Sequence, residues 1–476
     1  MKQSRKTIPF FIIVILLAII LRTATISHES LWGDEAWTMK FASTSTGDLI
    51  HQAREDVHPP LYFLTIHYWI NIFGTSEASL RFPSLLFSLI SMYLFYRLCK
   101  RLNINPLPTT ALFALSLSGL IYAQETRSYA LIVLLTIWMI HSLIKLRQEN
   151  KGLTELIIAN TLLLYTHVFG MVAVLTAAAV LYFSFPKKEA LSPTLLAAFI
   201  APFILYLPWF IPFIKQMYHF LPLLTERLAT NTHGIISPLI FYLLTVVGII
   251  LAILLVIYKH RHDEFSLLTY YQKIIIFCQQ HILLFTAGWI LFFSLAYHFF
   301  ATTNPFVRYP LFLIPLIYLT LGFIIAHHER IARIFVIFSF ILLAINVTHI
   351  DRYDWRNATN YALGFQDNKT LYGFEYAGTS YQLFDYYASK TTPSIQEQMV
   401  KLRYLEITPD EHGINREHEI TLPPNQIDPL KRYVLIISKL RPGDQSQYEQ
   451  ILATTHLQTQ SRNFKDVRIV VFEPKG

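Results

Sequence analysis

Long apolar runs separated by short polar connectors dominate the sequence. They lie at about 8–26, 81–98, 107–123, 128–146, 153–168, 170–185, 194–214, 236–258, 281–300, 306–326 and 331–349. Runs of this length bury their backbone polar groups in lipid only as helices, so about eleven transmembrane helices are expected. The rest of the composition agrees. The chain is 53% hydrophobic and 15% charged, with a mean hydropathy of +0.40, whereas soluble domains carry about 25% charged residues.

The connectors set the orientation. With the N-terminus on the cytoplasmic side, the inner segments carry Lys2, Arg5 and Lys6; Arg97, Lys100 and Arg101; Lys145, Arg147 and Lys151; Lys187 and Lys188; Lys259, Arg261 and Lys273; Arg330 and Arg333. The outer connections hold only scattered cations, which is the positive-inside pattern. An odd number of spans then sends the C-terminus outside. Of the 39 Lys and Arg, 15 lie beyond residue 350 with 16 of the 31 Asp and Glu, leaving 24 against 15 before it. The basic excess therefore belongs to the membrane part and reflects topology, not nucleic-acid binding. The first run follows a basic start; the many later spans favour a retained anchor over a cleaved signal peptide.

Two domains are expected. Residues 1–350 form the membrane domain, whose first outer loop, 27–80, contains "HPPLYFLTIHYWINIFG" (58–74). His67, Asn71 and the flanking Pro59-Pro60 mark it as interfacial helix, not another span. Residues 351–476 change character. "TLYGFEY" (370–376), "KRYVLIIS" (431–438) and "VRIVVFE" (467–473) read as buried strands, and 379–390 and 444–455 as helices. This predicts a small C-terminal α/β domain outside the membrane. It has no glycine-rich phosphate loop and no nucleophile elbow.

Polar groups near a bilayer are costly and mark function by default. Five clusters fall on the outer side. "LWGDEAWT" (31–38) sets Asp34 and Glu35 between Trp32 and Trp37. The pair reads either as general base and orienting group or as an acidic loop held by interfacial tryptophans. "DVHPPLY" (56–62) offers His58 beside two prolines. "YAQETRSYAL" (122–131) sets Gln124, Glu125 and Arg127 between apolar runs; Arg127 suits a phosphate or a local pair with Glu125. "YTHVFG" (165–170) carries His167 between two helices. "NPFVRYPLFLIP" (304–315) carries Arg308 and Tyr309 at a helix start, where Arg308 either snorkels or clamps a phosphate.

Metal readings are weak. "HDE" (262–264) and "HHER" (327–330) lack partner spacing, and "HGINREHE" (412–419) reads as a polar loop. Cys99 and Cys278 both fall on the inner side, so no disulfide is expected. The sequence requires no cofactor and supports no divalent metal.

The fragments "WGDEAWT", "HPPLYFLTIHYWINIFGTSEASLRFPSLL", "QETRSYAL", "YTHVFG", "RYPLFLIPL" and "DWRNATNYAL" occur in that order. Together they resemble bacterial membrane glycosyltransferases of the GT-C class. They are similar to the dolichyl-phosphate-mannose–protein mannosyltransferase group (glycosyltransferase family 39) and to the lipid A aminoarabinose and lipopolysaccharide-core galacturonic acid transferases. The resemblance covers most of residues 8–365. It implies a bacterial inner-membrane enzyme that takes a monosaccharide from a polyprenyl-phosphate donor on the outer side and passes it, usually with inversion, to an acceptor hydroxyl on a protein, lipid A or a polysaccharide. It also implies that Asp34 and Glu35 serve the acceptor and catalytic site, with Arg127 and Arg308 on the donor phosphate. His58 stands where the aminoarabinose transferases carry a lysine. The rival class is a transporter or flippase for lipid-linked sugars, which would place polar groups at the midplane; a third is a scaffold acting through its outer domain.

Overall fold

A computed structural model of the chain describes residues 8–56, 58–184, 192–231, 272–273, 276, 311, 313–325, 328–347, 354–375, 377–409, 415–421, 427–438, 447–464 and 467–475. These divide into two compact units. The first comprises Met1–Ala24, Thr44–Gly74 and Arg81–Val347; the second comprises Thr25–Ser43, Thr75–Leu80 and Thr348–Gly476.

The helices in chain order are α1 (Ile8–Ala24), α2 (Gly33–Ala42), α3 (Thr46–Glu55), α4 (Leu61–Phe73), α5 (Glu77–Arg101), α6 (Pro106–Ala114), α7 (Leu117–Ile121), α8 (Tyr129–Glu149), α9 (Leu153–Thr166), α10 (Val168–Ser184), α11 (Pro193–Asn231), α12 (Ile314–Ile325) and α13 (Glu329–Val347). Among the described residues, α5, α8 and the Pro193–Gln216 part of α11 are long and apolar enough to cross a membrane. The expected spans at 236–258 and 281–300 lie outside the described residues. The run at 107–123 is not the single helix expected. It is broken into α6 and α7 with a bend of 64°. The cause is Ser116, whose hydroxyl accepts from the Gly119 amide at 3.2 Å and caps a new helix where the old one ends.

The helices of the first unit pack on a core that includes Phe11, Phe95, Leu112, Phe113, Leu319 and Phe335. Phe95 and Phe113 stack with ring centroids 4.3 Å apart. Burial separates interior from peripheral spans. The most apolar window of α8 is 61% buried, but that of α11 only 28%, and α11 exposes Ile200, Ile204, Leu205, Leu207 and Ile211. A contiguous apolar stripe of that kind is the face a membrane helix turns to lipid.

In the second unit a six-stranded sheet has the order β3-β2-β1-β4-β6-β5. Its strands are β1 (Thr370–Glu375), β2 (Met399–Pro409), β3 (Asn415–Thr421), β4 (Arg432–Ser438), β5 (His456–Phe464) and β6 (Val467–Pro474), accompanied by α14 (Trp355–Leu363), α15 (Ala377–Ala388) and α16 (Gln447–Thr455). β1 runs parallel to both β2 and β4; the other pairs are antiparallel. Strands β1, β4 and β6 and helices α15 and α16 match the sequence expectation to within three residues. "HGINREHE" does not stay a polar loop, since residues 415–421 pair with β2 as an edge strand. Edge strands need not alternate apolar with polar residues, so β3 carries no strand signature.

One glycine fixes helix spacing. A Cβ on Gly170 would collide with the Leu163 backbone carbonyl, so α9 and α10 approach closely just after His167. Gly170→Ala is expected to cost about 1–3 kcal/mol through forced repacking, seen as a lower unfolding temperature in detergent. An unchanged midpoint would contradict this packing.

Candidate active site

The two units carry different parts of the sequence-predicted set. His58, Gln124, Glu125, Arg127 and His167 belong to the first unit, and Asp34 and Glu35 to the second. Arg308 and Tyr309 lie outside the described residues.

In the first unit the structure brings His58, Arg127 and His167 together. The loop before α4 makes an Asx-type turn in which the His58 amide donates to Asp56 Oδ1 at 2.9 Å. The His58 ring returns to the same oxygen, with Nδ1 at 2.7 Å, while Nε2 lies 2.9 Å from an Arg127 terminal nitrogen. A guanidinium only donates. Nε2 is therefore the acceptor, the proton sits on Nδ1, and the imidazole is neutral. Asp56, His58 and Arg127 thus form a directed relay that orients the guanidinium. His167 stacks edge-on against His58 with centroids 5.3 Å apart, and its own Nδ1 accepts from the Phe169 amide at 3.2 Å. His167 adopts an extended backbone at the end of α9, which turns its ring out of the helix and toward the relay.

Arg127 is only 5% exposed. Its carbonyl accepts from the Ser84 hydroxyl at 3.2 Å, which leaves Tyr62 to donate to Ser84 at 2.7 Å. Its own amide closes a tight turn on the Glu125 carbonyl at 2.8 Å, and its guanidinium lies 5.9 Å from the Tyr129 ring. Glu125 is buried in that turn. Gln124 has a positional role: its amide donates to the Leu21 and Arg22 carbonyls at 3.2 and 3.0 Å, closing the end of α1. The sequence reading passed over Asp56, although it stands two residues before His58, at the spacing of such a turn. It also passed over Arg22, the one cation among the apolar residues of α1. Arg22 is buried, donates to Ser88 Oγ at 3.2 Å and the Ala18 carbonyl at 2.9 Å, and lines a cavity of about 20 Å³ with Ser91, Ser118 and Tyr122, room for one water.

In the second unit Asp34 and Glu35 occupy the first turn of α2, where negative charge complements the helix dipole. Their burial separates them. Glu35 is fully buried, and its Oε2 accepts from the Trp32 amide at 3.3 Å, the carboxylate half of a capping box. Asp34 is half-exposed. The chain entering α2 is held by the C-terminal residues. The Leu31 amide donates to the Tyr387 hydroxyl at 2.7 Å, and that hydroxyl donates to Glu77 Oε1 at 2.5 Å. Arg356 takes the other oxygen of Glu77 at 2.5 Å and donates to the Ser27 carbonyl at 3.1 Å. Burial, with Glu77 beside it, pushes the Tyr387 phenol well above its usual range, so this hydroxyl stays a donor. Lys40, one turn beyond Trp37, is held below the usual lysine value by burial and by Lys401.

A family model described as dolichyl-phosphate-mannose-protein mannosyltransferase matches residues 57–212. That stretch includes His58, Gln124, Glu125, Arg127 and His167. The resemblance to GT-C glycosyltransferases read from the sequence therefore stands. No curated protein sequence is significantly similar. Among solved structures, ArnT from Cupriavidus metallidurans in the apo state is 11% identical over 97% of this chain and 98% of its own, with a TM-score of 0.44. ArnT from Cupriavidus metallidurans bound to undecaprenyl phosphate is 11% identical over the same shares, with a TM-score of 0.46. The Archaeoglobus fulgidus oligosaccharyltransferase is 10% identical over 79% of this chain and 61% of that one, with a TM-score of 0.45.

The cap distinguishes the two carboxylates experimentally. Glu35→Ala should lower stability by about 1 kcal/mol, while Glu35→Gln, which keeps an acceptor oxygen, should unfold close to the wild-type midpoint. Equal loss in both variants, measured by unfolding in detergent, would show that Glu35 does more than cap α2.

Proposed function

We propose that the chain is a membrane glycosyltransferase that moves one monosaccharide from a polyprenyl-phosphate carrier to an acceptor hydroxyl on the outer side of the membrane. The observation that carries this reading is the contact of His58 with Arg127 within the residues matched to the mannosyltransferase model, with Asp56, just before that stretch, holding the His58 ring. That model's description names dolichyl-phosphate-mannose, a sugar on a lipid phosphate. A buried guanidinium aimed by a neutral imidazole is chemically suited to a phosphate head group. The apolar helices around it suit the carrier's tail.

The reaction is a single displacement. The acceptor oxygen forms a bond to the anomeric carbon as the bond from that carbon to the phosphate oxygen breaks. The polyprenyl phosphate leaves with the electron pair, and the sugar inverts. The leaving group is already a weak base, so it needs charge stabilisation more than protonation. Arg127 supplies that charge in this proposal, with Arg308 as a second cation and Tyr309 beside it. His58 and His167 fix the approach to Arg127, and Gln124 and Glu125 shape the turn that presents it. The proton of the acceptor hydroxyl goes to a carboxylate. Asp34 is assigned as that base because it is the more exposed member of the pair, and Glu35 orients it through the cap. The N-terminus is assigned to the cytoplasmic side and the C-terminal domain to the outside, on the basic-inside pattern of the connectors.

Purified protein incubated with a panel of polyprenyl-phosphate sugars and candidate acceptors should release free polyprenyl phosphate and form a glycosidic bond. Asp34→Asn should reduce turnover about 10²–10⁴-fold with an unchanged unfolding midpoint. Wild-type turnover in that variant would sink the assignment of the base. Vesicle-reconstituted protein that moves the donor across the bilayer without cleaving it would favour a flippase. Arg127→Met should raise the donor KM about 10–100-fold, the worth of a charged hydrogen bond; an unaltered KM would remove Arg127 from the phosphate.

A further inference from the structure

The second unit contains a groove that neither the transfer reaction nor the acidic motif uses. It has a volume of about 530 Å³ and is lined by Asp354, Asn357, Tyr361, Arg462, Asn463 and Phe464. Its size falls in the range of small-molecule sites. Asp354 stands at the N-cap of α14, and Asn357 and Tyr361 follow at three and seven residues, on the same helical face. The other three residues end the edge strand β5. The walls therefore come from two regular elements.

Arg462 is the unusual member. Its guanidinium carbon lies 5.1 Å from the ring centroids of both Tyr361 and Phe464, so two aromatic faces hold the cation in place. Elsewhere in the unit Arg356, Arg432 and Arg468 each pair with a carboxylate. Arg462, which lines the groove, makes no such pair among the described residues. Tyr361 is oriented by donating its hydroxyl to Gln460 Oε1 at 3.0 Å. Asn357 donates to one oxygen of Asp354 at 2.8 Å, which leaves the other carboxylate oxygen as an acceptor. The groove thus presents a fixed fork of donors, a carboxylate acceptor, two carboxamides that both donate and accept, and aromatic edges. One positive and one negative side chain cancel, so the groove does not favour an anion. A neutral ring with several vicinal hydroxyls satisfies all of these groups at once: hydroxyls give to Asp354, take from Arg462 and do both with the asparagines.

We propose that this groove binds a neutral saccharide and recruits the acceptor as a glycan chain. The inference deepens the transferase reading, and rests on it for the acceptor role alone. Binding is measured without turnover, so the two fail separately.

The test uses the full chain in detergent, with maltotriose, mannotriose and galactotriose as probes and saturation-transfer NMR as readout. At least one trisaccharide should bind saturably with millimolar affinity. Arg462→Ala and Asn357→Ala, both at exposed positions, should each weaken it at least tenfold, while Asp34→Asn should bind as the wild type. A failure of all three sugars to bind would overturn the proposal, as would binding that survives both substitutions. Displacement of the sugar by millimolar inorganic phosphate would do the same, since it would mark an anion site.

Discussion

A guanidinium held among apolar helices offers only donors, so its neighbours must be acceptors with fixed positions. In this chain that requirement falls on Arg127 and is met by His58. The imidazole can accept only because Asp56 holds its proton on the far nitrogen. The consequence spreads through the first unit. Ser84 and Tyr62 hold the Arg127 carbonyl, Gln124 closes the end of α1, and Gly170 lets α10 fold back against α9 directly after His167. The Glu125 carbonyl and Ser84 thus hold the turn that presents the cation, and Gln124 ties that turn to the end of α1. For the proposed donor phosphate this would be a preorganised site, with the charge placed before the ligand arrives and little rearrangement needed on binding.

The second unit shows the same economy at the acidic motif. Glu77 binds Arg356 and Tyr387, and Tyr387 in turn receives the amide that leads into α2. The C-terminal residues therefore set where the helix bearing Asp34 begins. Lys390 packs 3.8 Å over the Tyr386 ring, and Tyr386 donates to the Thr75 carbonyl at 2.9 Å. In the proposed reaction the acidic pair would need no ordering at each turnover, since it rests on a helix whose entry is already fixed.

The parts legible in the sequence are those governed by local pattern. Apolar runs announced the helices around α1, α5, α8 and α11, and the near-continuous apolar strings of β1, β4 and β6 announced the central strands. The edge strands β3 and β5 escaped because an edge pairs on one side only and tolerates polar residues throughout. β2 was missed although Val400 and Leu402 alternate with Lys401 and Arg403. The break at Ser116 was also missed, since a single capping serine inside an apolar run carries little weight in hydropathy. At the site, charged residues flanking apolar runs pointed to Arg127, His58 and the acidic pair. Their partners were not legible. Asp56 looked like loop, and Glu77 and Tyr387 stand 310 residues apart, a separation that no local pattern bridges.

The central claim is that Arg127, aimed by His58, is the seat of the donor's phosphate. An experimental structure of the protein with a polyprenyl phosphate bound tests it most directly. The account predicts phosphate oxygens within about 3 Å of the Arg127 guanidinium, with the contacts of His58 to Asp56 and Arg127 retained. A carrier phosphate resting on other cations, with no contact to the Arg127 guanidinium, would contradict it.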